Sequence, residues 1–350
     1  MTTNQLCSDA DKAPCFPEEN AAPESSTKPR MWIRRVLLAC SVMLLLPICV
    51  AYWFRFDCCT AVTVYPPWCW LVVGWLLALP AMMRGIPRTA TICCALWLVF
   101  GLIFYDSPIS LLRTFRTASD SKRTLRVVTL NCKSKATAAK EVVYFEPDIV
   151  LMQESPGPQQ VKELAEELFG EDGSVLWSPD TSIVARGELS PKNAKNSRSS
   201  PFVSASLQLP GSEKTLQVIC LRLRPCPVRF DLWSPRCWSV YNENRRERRE
   251  QMKRVAKEVE AFAGRATICG GDFNAPPGDA VFRLLKPRMA DTFPAAGRGW
   301  GRTFINEFPV IRIDQVWISK HFEVVNVFAK STEHSDHRMV VCDLILSPKE

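Results

Sequence analysis

The stretch ATICGGDFNAPPGD, residues 266–279, decides how this chain is read. An apolar run leads into two glycines, and the triplet Asp272-Phe273-Asn274 falls where proline and glycine stop the run. That is a strand giving way to a turn. Polar groups at the end of an apolar strand are costly to bury unless they are paired, so their partners must come from elsewhere in the chain. Working outward, four more apolar runs carry polar groups at a boundary. They are VVTLNCKS (127–134) with Asn131, PDIVLMQES (147–155) with Glu154, VIRIDQVWIS (310–319) with Asp314, and STEHSDHRMVVCDL (331–344) with Asp336 and His337. Such strand ends predict one shared site. Carboxylates, amides and one imidazole suit a hard cation and phosphate-ester chemistry.

The order N, QE, GDFN, RIDxV, SDH resembles the endonuclease/exonuclease/phosphatase family of metal-dependent phosphoesterases, over roughly Leu125 to Leu346. The resemblance implies an α+β fold, a four-layer α/β/β/α sandwich like that of deoxyribonuclease I, with the site at one end of the strands. It implies Glu154, Asn131 and Asp336 as ligands of Mg²⁺ or Mn²⁺. Asp272 is expected to orient or deprotonate the attacking water, and Asn274 to donate to a phosphoryl oxygen. His337 is expected to contact the scissile phosphate, with Asp314 fixing its other ring nitrogen, and Asn131 joins this catalytic group. Two positions depart from the family pattern. Arg222, in LQVICLRLRP (216–225), stands where a His is usual, and Lys133 stands where many nucleases have an acid. Arg222 either binds the substrate phosphate in a bidentate manner or forms a structural ion pair. Both departures weigh against a second metal and against a nuclease-like substrate. Zinc is not expected, because His334 and His337 lack a third His or Cys partner.

Hydrophobic residues make up 47% of the 350 residues, and they are unevenly spread. Residues 1–30 are polar and aperiodic and read as a disordered tail. Residues 31–106 contain three apolar runs, Val36–Phe54, Trp68–Met83 and Ala90–Tyr105, with aromatic residues at their ends. These predict three transmembrane helices, or two if the shorter second run does not cross. A linker over 107–123 and a domain over 124–350 follow. Lys28, Arg30, Arg34 and Arg35 precede the first run, and Arg84 and Arg88 separate the second and third. That bias predicts a cytoplasmic N-terminus, a multi-pass protein of the cell (inner) membrane and an extracytoplasmic catalytic domain. The basic residues 113–123 argue the other way, but long domains translocate largely regardless of charge.

Within the domain, strands are expected at Leu125–Asn131, Ile149–Gln153, Ile183–Arg186, Phe202–Gln208 and Thr215–Leu223. Helices are expected over Ala136–Phe145, Gln159–Phe169 and Asn242–Ala263. The last of these carries Arg245, Arg246, Arg248 and Arg249 among glutamates. This reads as a solvated face with i,i+4 pairs, or alternatively as a patch facing phosphate or anionic lipid. Cys226 and Cys237 bracket a predicted loop and could form a disulfide outside the cytoplasm. From residue 120 on, 34 Lys and Arg against 29 Asp and Glu give a net charge of +5, which fits anionic substrates and falls short of a dedicated nucleic-acid binder. The expected function is a membrane-anchored hydrolase acting on nucleic acid, a phospholipid headgroup or a soluble phosphate ester, with no obligate protein partner. The alternative is a catalytically inactive membrane protein that uses the same sandwich to bind a ligand or partner.

Overall fold

The computed structural model describes residues 28–83, 86–105, 108–113, 124–192 and 200–347. The expected tail, apart from residues 28–30, and most of the 107–123 linker lie outside the described residues, as do residues 193–199.

The N-terminal part contributes α1 (Lys28–Phe54), the one-turn α2 (Thr60–Thr63), α3 (Pro67–Met83), α4 (Pro87–Phe104) and the short α5 (Ile109–Arg113). Two helical stretches, Met31–Phe54 and Pro87–Phe104, are long and apolar enough to cross a membrane. A third crossing results if Asp57–Thr63 and Pro67–Met83, bent by 69°, count as one span. The three long helices pack around an apolar core that includes Tyr52, Ala78, Trp97 and Phe100, with small and polar contacts inside it. Gly74 of α3 lies flat against the ring of Trp97 of α4, leaving no room for a Cβ. Ser41 of α1 donates to the Gly74 carbonyl at 2.9 Å and accepts from Trp97 Nε1 at 3.0 Å. In an apolar medium close backbone approach and interhelical hydrogen bonds of this kind drive helix association.

The domain is built on two mixed sheets. One contains β1 (Leu125–Asn131), β2 (Ile149–Gln153), β3 (Gly173–Leu176) and β4 (Thr181–Arg186). The other begins with β5 (Glu188–Pro191), β6 (Phe202–Gln208), β7 (Thr215–Arg222), β8 (Thr267–Asp272) and β9 (Ala290–Asp291). The chain then returns to the first sheet with β10 (Gly297–Arg298), adds β11 (Asp314–Ile318) to the second, and completes the first with β12 (Phe322–Lys330) and β13 (Met339–Leu346). The spatial orders are β10-β12-β13-β1-β2-β4-β3 and β5-β6-β7-β8-β11-β9. Val127, Leu151, Val218, Ile268, Val316 and Cys342 fill the space between the sheets.

The outer faces are covered too. Val128, Val150 and Val184 pack on Val161 and Leu164 of α7 (Pro158–Phe169), next to α6 (Ala136–Lys140). Ile219, Cys269 and Trp317 pack on Met252, Val255 and Val259 of α8 (Pro235–Ala261), while α9 (Thr292–Ala296) caps one edge. Strands buried on both faces read as continuous apolar runs rather than alternating ones, which is why β1, β2 and β8 are legible in the sequence. The architecture is the expected four-layer sandwich.

Two expectations need correction. The long helix starts at Pro235 rather than Asn242, because Pro is well tolerated in the first turn of a helix. Its arginines do not form one solvated face: Arg245 and Arg248 are buried. Arg245 pairs with Asp279 at 3.1 Å and donates to the Phe56 carbonyl and Thr60 Oγ1, while Arg248 donates to the Asn274 carbonyl. Cys226 and Cys237 are free thiols in one small apolar cluster.

The helix bundle and the domain are in close contact. Arg249 pairs with Asp57, Arg283 donates to the Phe54 carbonyl at 3.0 Å, and Arg302 lies 4.8 Å over the ring of Tyr105. The ends of α1 and α4 and the approach to α3 therefore all meet the domain.

Candidate functional site

Strand register assembles the site. β1 runs parallel to β2 with Asn131 beside Gln153, so Glu154 leaves β2 next to Asn131. β7 runs parallel to β8 with Arg222 beside Asp272, and antiparallel β11 sets Asp314 opposite Asp272. β13 runs antiparallel to β1, so the turn before Met339 returns Asp336 and His337 to the same end of the sandwich. Gly271 is required at its position: its φ is 143° and a Cβ would meet the Leu221 carbonyl. Lys133, Glu154 and Asn274 take left-handed backbone conformations, with φ of 50°, 42° and 47°. Each costs about 1–2 kcal/mol for an L-residue, and such residues gather at functional sites.

Asp272 is held by three donors. Asn131 Nδ2 reaches one of its oxygens at 3.2 Å, Asn274 N the other at 2.9 Å, and Asn274 Nδ2 donates at 3.0 Å. Asn274 Nδ2 also donates to the Leu223 carbonyl at 2.8 Å. Both amide hydrogens of Asn274 are thus engaged inside the protein. They point at Asp272 and the Leu223 carbonyl, so the Asn274 amide braces Asp272 in this arrangement.

Asp314 and His337 form a buried couple, with His337 Nδ1 2.9 Å from Asp314 Oδ2. The other oxygen, Oδ1, has no hydrogen-bond partner among the described residues. Burial first, and then the charge of Asp314, raise Asp272 to about 6. Burial alone would lower His337. The charge and hydrogen bond of Asp314, with the charges of Asp272 and Asp336, carry it instead up to about 9. Asp272, Asp314 and His337 offer ligand atoms that all lie within 4.8 Å of one another, a grouping able to hold a divalent cation.

The residues expected to bind metal are arranged differently. Glu154 Oε1 accepts from Asn131 Nδ2 at 3.0 Å and from the Arg222 guanidinium at 2.7 Å. Arg222 also reaches Asp180 at 3.5 Å. Asp336 pairs with Lys133 Nζ at 3.1 Å. The two basic residues that depart from the family pattern therefore sit one on each of the two expected carboxylate ligands. Glu154 and Asp336 stay partly exposed, at 31% and 39% of their side chains, and with the Asn131 amide oxygen they keep the hard-oxygen chemistry a divalent cation needs.

Sequence reasoning missed several supporting residues. Ser335 Oγ donates to the Asn131 carbonyl at 2.6 Å and accepts from His337 N at 3.0 Å, and Thr332 Oγ1 donates to the His337 carbonyl at 2.7 Å. The Phe304 ring lies 4.9 Å from the His337 ring. Ser335 was findable, since a hydroxyl two residues before a required side chain commonly pins the local backbone. Asp180 and Phe304 carry no such signal. Among nearby tryptophans, Trp238 donates to the Leu232 carbonyl and Trp300 to the Pro309 carbonyl, while Trp233 is exposed.

The model of the endonuclease/exonuclease/phosphatase family matches residues 128–337. No curated protein matches the chain. Among solved structures it is similar to a functionally unknown conserved protein from Enterococcus faecalis V583, at 14% identity and a TM-score of 0.50, over 63% of this chain and 100% of that one. It is also similar to family proteins from Bacteroides thetaiotaomicron (15% identity, TM-score 0.49, 64% of this chain and 98% of that one) and Bacteroides vulgatus (17%, 0.49, 65% and 100%).

Proposed function

The chain belongs to the endonuclease/exonuclease/phosphatase family, and from that premise we propose that it is a membrane-anchored hydrolase of phosphate esters supported by Mg²⁺ or Mn²⁺. The observation that carries this reading is the buried Asp272–Asp314–His337 cluster beside Asn131, Glu154 and Arg222 at one end of the sheets.

Asp272, raised to about 6, is ionised at neutral pH yet basic enough to take a proton from an attacking water. Asn131 and Asn274 fix its direction. His337, held protonated by Asp314, presents its Nε2 hydrogen to charge developing on phosphoryl oxygens. Arg222 lines the same pocket and adds a second cationic donor. When bound, the divalent ion supplies Lewis-acid stabilisation of those oxygens. Glu154, Asn131 and Asp336 would hold it. A second placement, on Asp272 and Asp314 beside His337, is favoured by the buried, unpartnered Asp314 Oδ1.

The packing of the helix bundle supports one topology. The ends of α1 and α4 and the start of α3 face the domain, as three crossings require, which leaves the N-terminus on the opposite side of the bilayer. With the positive-inside bias, the domain is extracytoplasmic.

The test is hydrolysis of bis-p-nitrophenyl phosphate by the full-length protein in detergent, with Mg²⁺, Mn²⁺ or EDTA. Metal-stimulated turnover abolished by Asp272→Asn is expected. No turnover with any metal would instead support the non-catalytic binding module.

A further inference from the structure

The catalytic residues form the floor of a pocket of about 520 Å³ whose remaining walls are apolar. One wall does not belong to the sandwich. Val64, Tyr65 and Pro66, from the connection entering α3, line the pocket, and so does Cys69 in the first turn of that helix. This connection is built into the domain rather than draped over it. Tyr65 donates to the Arg229 carbonyl, its ring lies 6.0 Å from that of Phe230, and Ala61 and Val64 form a small core with Cys237 and Tyr241. The surface is therefore continuous from the catalytic floor, along Val64–Pro66, to the first turn of an apolar helix.

The rim points the same way. Val228, Phe230 and Ile305 all line the pocket and are 73%, 71% and 46% exposed. Phe308, in the same loop as Ile305, is 73% exposed. Large apolar side chains clustered at the mouth of a site, next to a membrane span, mark a surface that meets lipid. A nucleic acid would require a basic groove with several phosphate contacts, whereas this pocket offers Arg222 and His337 against Glu154, Asp272 and Asp336. A small soluble ester would leave the apolar walls facing water.

We propose that the substrate is a phosphate ester of a membrane lipid. It enters from the bilayer with its hydrocarbon chain along Val64, Tyr65, Phe230 and Ile305 and its phosphate on the polar floor. This rests on the hydrolytic reading above. Hydrolysis adds water across one P–O bond, releasing an alcohol and a phosphate with one fewer ester. The α1–α3 connection is then part of the substrate site as well as of the anchor.

The test uses the full-length protein in phosphatidylcholine vesicles doped with phosphatidic acid or phosphatidylglycerol carrying a diazirine in the acyl chain. Crosslinks mapped by mass spectrometry are expected at residues 64–69, 228–230 and 305, and Val228→Asp and Phe230→Asp should lower their yield by about tenfold. Both positions are exposed, and an unchanged melting temperature would show that the variants remain folded. Turnover of the lipid probes should exceed that of glycerol 3-phosphate or glycerophosphoglycerol by about tenfold or more. Crosslinks confined to the outer surfaces of the spans would overturn the proposal, as would soluble esters turned over as well as lipids. Crosslinks in the pocket without hydrolysis of any ester, bis-p-nitrophenyl phosphate included, would uphold lipid occupancy and overturn the hydrolytic reading alone.

Discussion

The guanidinium of Arg222 lies 2.7 Å from Oε1 of Glu154, so a side chain where the family usually has His is in direct contact with the carboxylate expected to bind metal. A divalent ion at Glu154 must share that carboxylate with Arg222 or displace it. Removing the competitor should tighten ion binding even as it removes a cation from the substrate side.

Arg222→Ala is accordingly expected to bind Mn²⁺ more tightly, measured by electron paramagnetic resonance, and to lose about 10²-fold in turnover. Arg222→His should recover part of the activity. If the residue were only a structural ion pair, both variants would melt earlier and leave kinetics per folded molecule and Mn²⁺ affinity unchanged.

The two placements of the ion make opposite predictions. With the ion on Glu154, Glu154→Gln should raise the Mg²⁺ concentration for half-maximal activity by about tenfold or more, and Asp314→Asn should lower kcat with little change in that concentration. The converse pattern would move the ion to Asp272 and Asp314.

Activity should follow a bell-shaped pH profile, because Asp272 must be ionised and His337 protonated. The acid limb is expected near pH 6 and the alkaline limb near pH 9. The charge of Asp314 holds His337 up, so Asp314→Asn should move the alkaline limb to lower pH. An unmoved alkaline limb would mean that another group sets it.

Arg245 is buried against Asp279, and breaking a buried ion pair from one side costs about 3–5 kcal/mol. Arg245→Ala should therefore lower the melting temperature markedly. Arg246→Ala, on the exposed face of the same helix, should change stability by no more than about 0.5 kcal/mol.

A C-terminal alkaline phosphatase fusion should be active and a C-terminal green fluorescent protein fusion dark, as three crossings from a cytoplasmic N-terminus require. The reverse result would mean that α3 does not cross.

Much of this was legible in the sequence, for an identifiable reason. Strands covered on both faces leave largely apolar runs, so Leu125–Asn131 and Ile149–Gln153 show their own ends. Each polar residue stranded at such an end marks the same edge. What was hidden depends on distant partners. The arginines of α8 look like a solvated charge run, and only the fold brings Asp279, Phe56 and Thr60 to Arg245. Asn274 has the residue type of a phosphate donor, but its hydrogens are taken by Leu223, which lies on the neighbouring strand's exit, and by Asp272. The ion pairs of Lys133 and Arg222 likewise follow from register, not from local pattern.

The contact of Arg245 with Thr60 spans 185 positions along the chain, and β1 pairs with the C-terminal strand β13. During synthesis the helices therefore emerge and can insert long before the residues that complete the pocket exist. Val64–Pro66 must wait for α8 to return, and Asn131 for the turn carrying His337. A chain cut short before that turn would still carry all of its apolar helices. It would lack the Asp314–His337 couple, so the helices and the site would be separated by truncation alone.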